Sequence, residues 1–385
     1  MKKSEFPDAF EGVRKSKGLG HMNDQDDPVQ MVMRFRDLRK CAHDWKTFTS
    51  AGEVGRTVVP SEASIRETRQ IPFEVDPPEH RGYRRLIEDW FRRPNQPEYK
   101  AKLKTIIDDM IDVVLDGKEI DVVSEFALPI QSRALTLLLN SNYEESEVWI
   151  GWGTHVFRSE GEALDGDKAA LLYDYIDEEI ERATANPCGD LYSVLLETEI
   201  DGRPLTKEEI KGVMILTFAG GRDTVINTIT NTIAFFAENF EKVKALKGDE
   251  IAITRAVEEL IRYFSPLTQL ARVATTDTEV CGSKVPEDTR ISLCYAAANR
   301  DETVFECPNE VKFDRKVNPH VAFGFSIHNC LGPTHARALM NLLIPSLLEK
   351  VGRIQLYEAE ENIEELGEFN RKVGFHKLNA QFYPA

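Results

Sequence analysis

A long helical segment around a pair of glycines is the feature that most constrains how this chain can fold. Thr206-Lys-Glu-Glu209 is a capping-box pattern, which is typical of a helix start. The helical pattern then extends to about Phe240. At 1.5 Å per residue such a helix would be roughly 50 Å long, enough to cross a whole domain. The other elements must therefore pack around it.

The glycine pair lies inside this helix, in the sequence Ala219-Gly-Gly-Arg-Asp-Thr224. Each glycine costs a helix interior roughly 1 kcal/mol relative to alanine, and glycine pairs are a known cause of kinks. We therefore expect the backbone hydrogen bonds to open here, with Asp223 and Thr224 beside the opening as proton-relay candidates. The alternative is that the glycines only let another helix pack closely and that Asp223 is solvated.

The remaining pattern predicts a mainly α fold with a small β region. Helical periodicity indicates helices over Arg81 to Phe91, Lys100 to Leu115 and Lys168 to Ala183. Short β-like segments occur at Arg56 to Val59, Gln269 to Thr275, Thr278 to Val280, Arg290 to Tyr295 and Lys377 to Phe382. Without repeats or Gly/Ser-rich linkers, one domain over 1–385 is favoured, and segment 51–75 reads as a long functional loop.

Composition narrows the possible functions. Apolar residues make up 42% of the chain, which is ample for a core, and the net charge of −17 argues against binding to nucleic acid or an anionic membrane. No apolar run of about 18 residues and no signal-peptide core are present, so we expect no membrane association. The six cysteines form no C-x-x-C pair, which favours reduced thiols in a cytoplasm and gives no zinc pattern.

One cysteine, Cys330, stands on a glycine-bearing loop, Phe323–Gly332, directly before a predicted helix over Pro333 to Lys350. The positive end of the helix dipole favours the thiolate, which can serve as an axial ligand of a haem iron. The alternatives are a buried structural cysteine and a hydrolase nucleophile. His328 and His335 are poorly spaced to act as the base of a hydrolase, and no orienting third group is evident.

Two further charged groups are candidates for binding or structure. Glu259 and Arg262 share one helix face, although surface ion pairs of this kind are common. His80 and Arg84 also share a face and could clamp one anionic group, or could simply belong to a capped surface helix. A basic cluster nearby suggests a docking face for an acidic partner: Arg81, Arg84, Arg85, Arg92 and Arg93.

Together, the order and spacing of these motifs resemble the cytochrome P450 family of haem-thiolate monooxygenases, from about Asp76 to the C-terminus. The resemblance implies a single domain with a long central distal helix and a proximal cysteine loop. It implies that Cys330 is the axial ligand, within a haem-binding signature that includes Phe323 and Gly332. It also implies that Gly220, Asp223 and Thr224 form the oxygen-activation motif.

The resemblance assigns further roles. Glu259 and Arg262 match the family's E-x-x-R pair, and Arg315 stands where the family completes it. The haem propionates would be held by His80, Arg84, Arg272 and His328. The substrate pocket would draw on loop 51–75, the Trp149–Phe157 region and Phe218. It would also draw on Leu267 to Leu270, with Thr268 and Gln269, and on Lys372 to Phe375, with Val373.

The chain also departs from the family pattern. Ser326 stands where glycine is usual, which we expect only if its backbone angles are not strictly glycine-like. His335 replaces an apolar residue near the proximal haem face, and the segment before Arg315 is about two residues short. These departures bear on thiolate tuning and partner docking.

The implied activity is insertion of one oxygen atom from O2 into a C–H bond at haem b. Because no nucleotide-binding loop or cysteine cluster is present, electrons from NAD(P)H would come through a separate ferredoxin and ferredoxin reductase. The mixed pocket favours a small, partly polar substrate, for example a methylated sugar or methoxy-aromatic undergoing O-demethylation. Alternatives are hydroxylation of a terpenoid or other small apolar compound, a peroxide-driven peroxygenase, and a non-catalytic haem sensor.

Overall fold

The computed structural model describes residues 6–159 and 163–385, and helices dominate its architecture. The helices are α1 (Glu11–Ser16), α2 (Phe35–His43), α3 (Glu79–Phe91), α4 (Pro97–Val114), α5 (Leu128–Leu139), α6 (Glu145–Gly151), α7 (Gly166–Ala185), α8 (Leu191–Leu196), α9 (Lys207–Gly220), α10 (Asp223–Glu238), α11 (Phe240–Lys244), α12 (Glu250–Phe264), α13 (Tyr295–Ala298) and α14 (Pro333–Lys350). None of these helices is long and apolar enough to cross a membrane.

Strands form two small sheets and two short hairpins. They are β1 (Leu19–Asp24), β2 (Asp27–Val32), β3 (Phe48–Thr49), β4 (Glu119–Asp121), β5 (Glu199–Ile200), β6 (Arg203–Pro204), β7 (Gln269–Ala274), β8 (Thr278–Val280), β9 (Ser283–Val285), β10 (Arg290–Cys294), β11 (Val351–Leu366) and β12 (Phe369–Pro384). The larger sheet has the order β1-β2-β10-β7-β3, and the other has β11-β12-β4. In the larger sheet only β10 and β2 pair in parallel, with Ile291 opposite Gln30.

The expected long central helix is divided into α9 and α10. The capping box at its start is present, since the Thr206 side chain accepts from the Glu209 N–H and Glu209 bonds back. The division falls at Gly221 and Arg222, where Arg222 leaves the helical region with φ −107° and ψ −84°. The Gly221 carbonyl, freed from the helix, accepts from the Gln131 Nε2 at 2.9 Å. The glycine pair therefore breaks the helix instead of only kinking it.

Two apolar clusters hold the site elements in place. One joins α4, α10, α12 and α14 around fully buried residues such as Ile229, Leu260 and Leu343. The other joins α3, α5, α7, α8 and α9, with Ile87 and Ile215 among its members. Because α14 and α10 share a core, the start of α14 and the break before α10 keep a fixed relation.

The β predictions were right in part. Segment 56–59 is a turn region and not a strand. The Thr57 carbonyl accepts one backbone bond from Ala271 (2.8 Å), and the other described backbone bonds of the segment are local turn bonds. The sequence did not indicate β1, β2 or β11. In β11 this is understandable, since the stretch is rich in glutamate, a residue depleted in strands. It is ordered by pairing along β12.

Candidate functional site

A cavity of about 380 Å³ lies between the cysteine loop, the break between α9 and α10, and loop 51–75. Cys330 and Gly332 line it from the loop, and Gly220, Asp223 and Thr224 line it from the break. The structure thus brings Cys330, the expected ligand of a haem iron, and the expected proton-relay residues into one cavity.

Backbone hydrogen bonds shape the cysteine loop. The Cys330 N–H donates to the Phe323 carbonyl at 2.8 Å, and the Gly332 N–H donates to the Cys330 Sγ at 3.2 Å. Helix α14 starts directly afterwards, at Pro333. The Cys330 side chain is open to the cavity. The surrounding protein raises the pKa of its thiol by desolvation, whereas the Gly332 N–H and the positive charges of Arg84 and Arg337 lower it. A thiol that coordinates a metal ion is deprotonated.

Ser326 adopts the backbone conformation that glycine normally supplies in this loop. Its φ is +66°, in the left-handed region, close to the +77° of Gly324. Such a conformation costs an L-residue roughly 1–2 kcal/mol. The expectation that serine stands here because the angles are not glycine-like was wrong. A contact of 3.1 Å between the Ser326 Oγ and the His43 Nδ1 ties the serine to α2.

Two histidines at the cavity edge have buried ring nitrogens without hydrogen-bond partners among the described residues. They are His80 on α3 and His328 in the cysteine loop, whose ring centroids lie 4.5 Å apart. The nearest carboxylate oxygen, on Asp76, lies 3.5 Å from the His328 Nε2. Burial lowers the pKa of His80 to about 4 and that of His328 to about 3, so both rings are neutral near pH 7.

Buried polar atoms in proteins are nearly always hydrogen-bonded. The unpaired nitrogens of His80 and His328 therefore fit a bound group that brings oxygen acceptors to this edge, as the two carboxylates of a haem do. The residues present are compatible with that group. The cysteine, the broken helix and the paired histidines together define a site of the haem-thiolate type.

The two arginines expected beside the propionates have protein partners. Arg84 donates to the carbonyls of Asn329 (2.5 Å) and Cys330 (3.1 Å), so it ties α3 to the cysteine loop. Arg272 is buried, donates to its neighbour's carbonyl at 2.7 Å, and lies 5.7 Å from the Phe73 ring centroid. Burial lowers the pKa of Arg272, and its positive charge helps to lower that of His328. Arg84 lines the cavity, whereas Arg272 is not among its described lining residues.

At the helix break, Thr224 Oγ1 donates to the Gly220 carbonyl at 3.0 Å. This bond uses the hydroxyl proton and leaves the oxygen lone pairs available as acceptors. Arg222 directly precedes Asp223 and Thr224. It is buried and donates to the carbonyls of Trp149 and Gly153. Arg222 was not among the expected site residues, although its position between the glycine pair and Asp223 marked it.

Glu259 is the centre of an ion cluster away from the cavity, in which Glu259 and Arg262 are fully buried. Arg262 donates to both of its oxygens at 2.8 Å, and Arg315 donates at 2.9 and 3.3 Å. Burial acts to raise the pKa of Glu259, but the hydrogen bonds and charges of the two arginines lower it overall. The three residues expected to meet do so, and Arg262 also bonds the carbonyls of Asn299, Pro308 and Glu310.

Four of the residues proposed for the substrate pocket lie elsewhere. The described lining of the cavity does not include Phe218, Thr268, Gln269 or Val373. Phe218 packs on Trp149 and Trp152, at centroid distances of 5.2 and 5.5 Å. The other three have partners elsewhere in the protein. Thr268 accepts a hydrogen bond from Arg371 (2.6 Å), Gln269 accepts one from Ser292, and the Val373 carbonyl accepts one from Asn231 (2.8 Å).

Other parts of the expected pocket do line the cavity. Loop 51–75 contributes several residues, and Phe157, Leu267 and Leu270 also take part. Charged residues that the sequence did not single out join them: Glu62, Arg158, Arg222, Glu364 and Glu365. Isolated charges in a loop carry no sequence signal of burial, so only the fold reveals them.

His335, which departs from the family pattern, is buried in α14 and is one of the residues that line the cavity. Its Nδ1 lies 2.9 Å from the Tyr99 hydroxyl. Burial lowers the pKa of His335 to about 4. The histidine therefore behaves as a neutral, hydrogen-bonded core residue that joins α14 to α4.

Comparisons with known proteins agree with this class of site. The family model described as "Cytochrome P450" matches residues 251–361. A probable cytochrome P450 127A1 of Sinorhizobium fredii is 30% identical over 332 residues, which cover 86% of this chain and 78% of that protein. The chain therefore belongs to the cytochrome P450 family. It is an oxidoreductase of the monooxygenase type, whose members use a haem-thiolate cofactor, O2 and reducing equivalents.

Solved structures show the same relation. The structure described as that of a carbohydrate active P450 is 59% identical, with a TM-score of 0.98, and the match covers 100% of both chains. CYP108D1 from Novosphingobium aromaticivorans is 25% identical, with a TM-score of 0.81 over 98% of this chain and 93% of that chain. The mainly α architecture with small sheets, expected from the sequence, is confirmed.

Proposed function

We propose that this protein oxidatively removes the methyl group from an O-methyl ether of a small polar molecule, with a methylated sugar as the preferred substrate class. Oxidation of the methoxyl C–H bond by O2, two electrons and two protons gives a hemiacetal and water. The hemiacetal then breaks its C–O bond to release the free hydroxyl compound and formaldehyde. Every atom of the methyl ether is thereby assigned to a product.

The observation that carries this proposal is the full-length similarity to a carbohydrate active P450 at 59% identity. The cavity supports it, because charged residues from four separate segments line it beside apolar ones. An apolar ligand would displace water from these charged groups without offering hydrogen bonds in return, so such a wall suits a ligand with many hydroxyl groups better than an apolar one.

Within this proposal the Cys330 sulfur would hold the iron of haem b, and Phe323 and Gly332 frame its loop. A thiolate-ligated haem supplies the reduction of O2 and the oxidation of the C–H bond. His80 and His328 would donate hydrogen bonds to its carboxylates. Arg272 would add positive charge near the two histidines, and Arg84 fixes the cysteine loop against α3.

Protons for O2 reduction reach the chamber through the helix break. Thr224 holds an acceptor oxygen toward the cavity, Asp223 stands beside it, and the opening at Gly220 gives water a place to bind. Glu259, Arg262 and Arg315 have a structural role, because they tie α12 to the segment that precedes the cysteine loop.

The electrons come from NAD(P)H through a separate ferredoxin and its reductase. Arginines on and after α3, including the exposed Arg81 and Arg85, offer a positive face on an acidic protein. Such a local patch can steer an acidic partner although the net charge is −17. A cytoplasmic site of action suits the six cysteines, which are all described and form no disulfide.

The test is turnover of mono-O-methyl hexoses, methoxy-aromatics and a terpenoid by the haem-loaded enzyme. A [2Fe–2S] ferredoxin with NADPH and ferredoxin reductase supplies electrons. We expect formaldehyde and demethylated sugar in equal amounts. Products that keep their methoxyl group, or turnover of the terpenoid alone, would overturn the proposed function. Turnover with peroxide but not with the electron-transfer partners would overturn the partner assignment.

A further inference from the structure

Loop 51–75 has no helix or strand, yet it is organised around one buried carboxylate. Glu74 is fully buried and accepts hydrogen bonds from several points along the loop. The donors are the Gly55 N–H (2.8 Å), the Gln70 N–H (2.7 Å), the Thr57 hydroxyl (3.3 Å) and the Arg66 guanidinium (2.6 Å). The loop is therefore held from inside by side chains, in place of a backbone ladder.

Arg66 connects this centre to the cavity wall. Its Nη2 meets Glu74, and its Nε forms an ion pair of 3.0 Å with the Glu62 Oε2. The Arg66 and Glu74 side chains have no exposed surface, and that of Glu62 is only 8% exposed. Because Arg66 is locked between two carboxylates, Glu62 is held at one place on the cavity wall.

Glu62 is poorly supplied with hydrogen-bond donors for a buried carboxylate. No described residue donates a hydrogen bond to its Oε1, and the Arg158 Nη2 lies 4.0 Å away, which is beyond hydrogen-bond range. Burial raises the pKa of Glu62, as is typical of a carboxylate short of donors. A purely structural role as counter-ion of Arg66 does not explain it, since Glu74 already pairs with that arginine at 2.6 Å.

We propose that Glu62 determines substrate specificity by accepting hydrogen bonds from hydroxyl groups of the substrate through the Oε1, with Arg66 and Glu74 as its positioning residues. This inference rests on the proposed function and names a group that reads the hydroxylated part of the substrate. A molecule without that hydroxyl leaves the carboxylate unpaired and binds less well.

The experiment measures binding of mono-O-methyl hexoses and their deoxy analogues to the haem-loaded enzyme by calorimetry. For Glu62→Gln we expect about a 10- to 100-fold weaker binding of the hydroxylated sugar, the range of one hydrogen bond to a charged group. The affinity ratio between each sugar and its deoxy analogue should shrink by a similar factor. Glu62→Asp, which keeps the charge but shortens the side chain, should show an intermediate loss.

Glu53→Gln is the matched control, because Glu53 is exposed on the same loop and does not line the cavity. Imidazole affinity and thermal unfolding report whether each variant keeps its haem site and fold. Unchanged sugar discrimination in both Glu62 variants would refute the role of Glu62 and leave the proposed function intact. Failure of the unaltered enzyme to bind any O-methyl hexose would refute both.

Discussion

At the scale of single residues, Glu259 is a buried carboxylate with ionic and hydrogen-bonding partners on both of its oxygens. Its two oxygens serve Arg262, Arg315, the Asn318 amide (3.2 Å) and the Lys312 N–H (2.8 Å). Removing one charge from such a buried set leaves the other charges without a partner. We expect Glu259→Gln to lower the free energy of unfolding by about 3–5 kcal/mol, measured by urea denaturation of the haem-loaded protein.

The lowered pKa of Glu259 gives this loss a pH signature. The folded carboxylate holds its proton less tightly than the unfolded one, so its contribution is full above about pH 4.3 and is lost as the pH falls toward the folded pKa. Glu259→Gln should flatten stability in that acidic range. Glu11→Gln, at an exposed pair, is the control and should change nothing measurable. Equal stability of Glu259→Gln and the unaltered protein would contradict the assignment.

His335 gives a second pH signature, which comes from a base and not from an acid. Its folded pKa of about 4 lies below the usual 6.5, so unfolding takes up a proton between those values and stability falls as the pH decreases through that window. At 1.36 kcal/mol per pKa unit the loss is about 3 kcal/mol. The double variant Tyr99→Phe with His335→Leu should lack this slope in thermal unfolding from pH 7 to pH 4.5. Tyr99→Phe alone should keep it, and a slope that persists in the double variant would disprove the origin.

At the scale of elements, the divided central helix is the part of the site most open to test. Thr224→Ala removes the hydroxyl beside the break, so we expect NAD(P)H consumption to continue while product per NAD(P)H falls about 10-fold or more. Thr232→Ala is the control: its hydroxyl bonds back to the Thr228 carbonyl (2.7 Å) on the same helix but does not line the cavity. Unchanged coupling in Thr224→Ala would sink the proton-relay role.

The same helix shows what sequence could and could not provide. The capping box and the glycine pair are local signals, so the start of α9 and the opening near Gly220 were foreseeable. Which side chains the helix presents to the cavity beyond the opening could not be foreseen. Each residue turns a helix by about 100°, so the two residues outside α9 and α10 change which side chains share a face. Phe218 accordingly packs against Trp149 and does not line the cavity.

Long-range partners set a further limit. Glu259 and Arg262 are three residues apart, so their contact is encoded locally, and family resemblance supplied Arg315. Glu62 and Arg222, in contrast, are buried only because distant segments close over them. A single charged residue in an irregular stretch reads as solvent-exposed until the fold is known. The cofactor end of the cavity was therefore easier to foresee than its substrate end.

At the scale of the whole molecule, the acidic surface and the local arginine face have opposite effects on an acidic partner. Added salt screens both, but the short-range attraction at the docking face governs the encounter complex. We expect reduction by ferredoxin to slow several-fold between about 0.05 and 0.5 M salt, measured by stopped-flow absorbance. Arg81→Glu with Arg85→Glu should slow it at low salt. Peroxide-driven turnover is the control, and an unchanged reduction rate would refute electrostatic docking.

The polar contacts of loop 51–75 point inward, and this determines which of its residues can be varied when the enzyme's substrate range is changed by directed evolution. Apolar side chains of the loop that line the cavity, such as Val58 and Phe73, take no part in the bonds around Glu74. A library at those positions therefore reshapes the chamber while the loop keeps its scaffold. Deletions or loop grafts that lose Arg66 or Glu74 dismantle the scaffold in one step, so the loop is best varied residue by residue with these two residues kept.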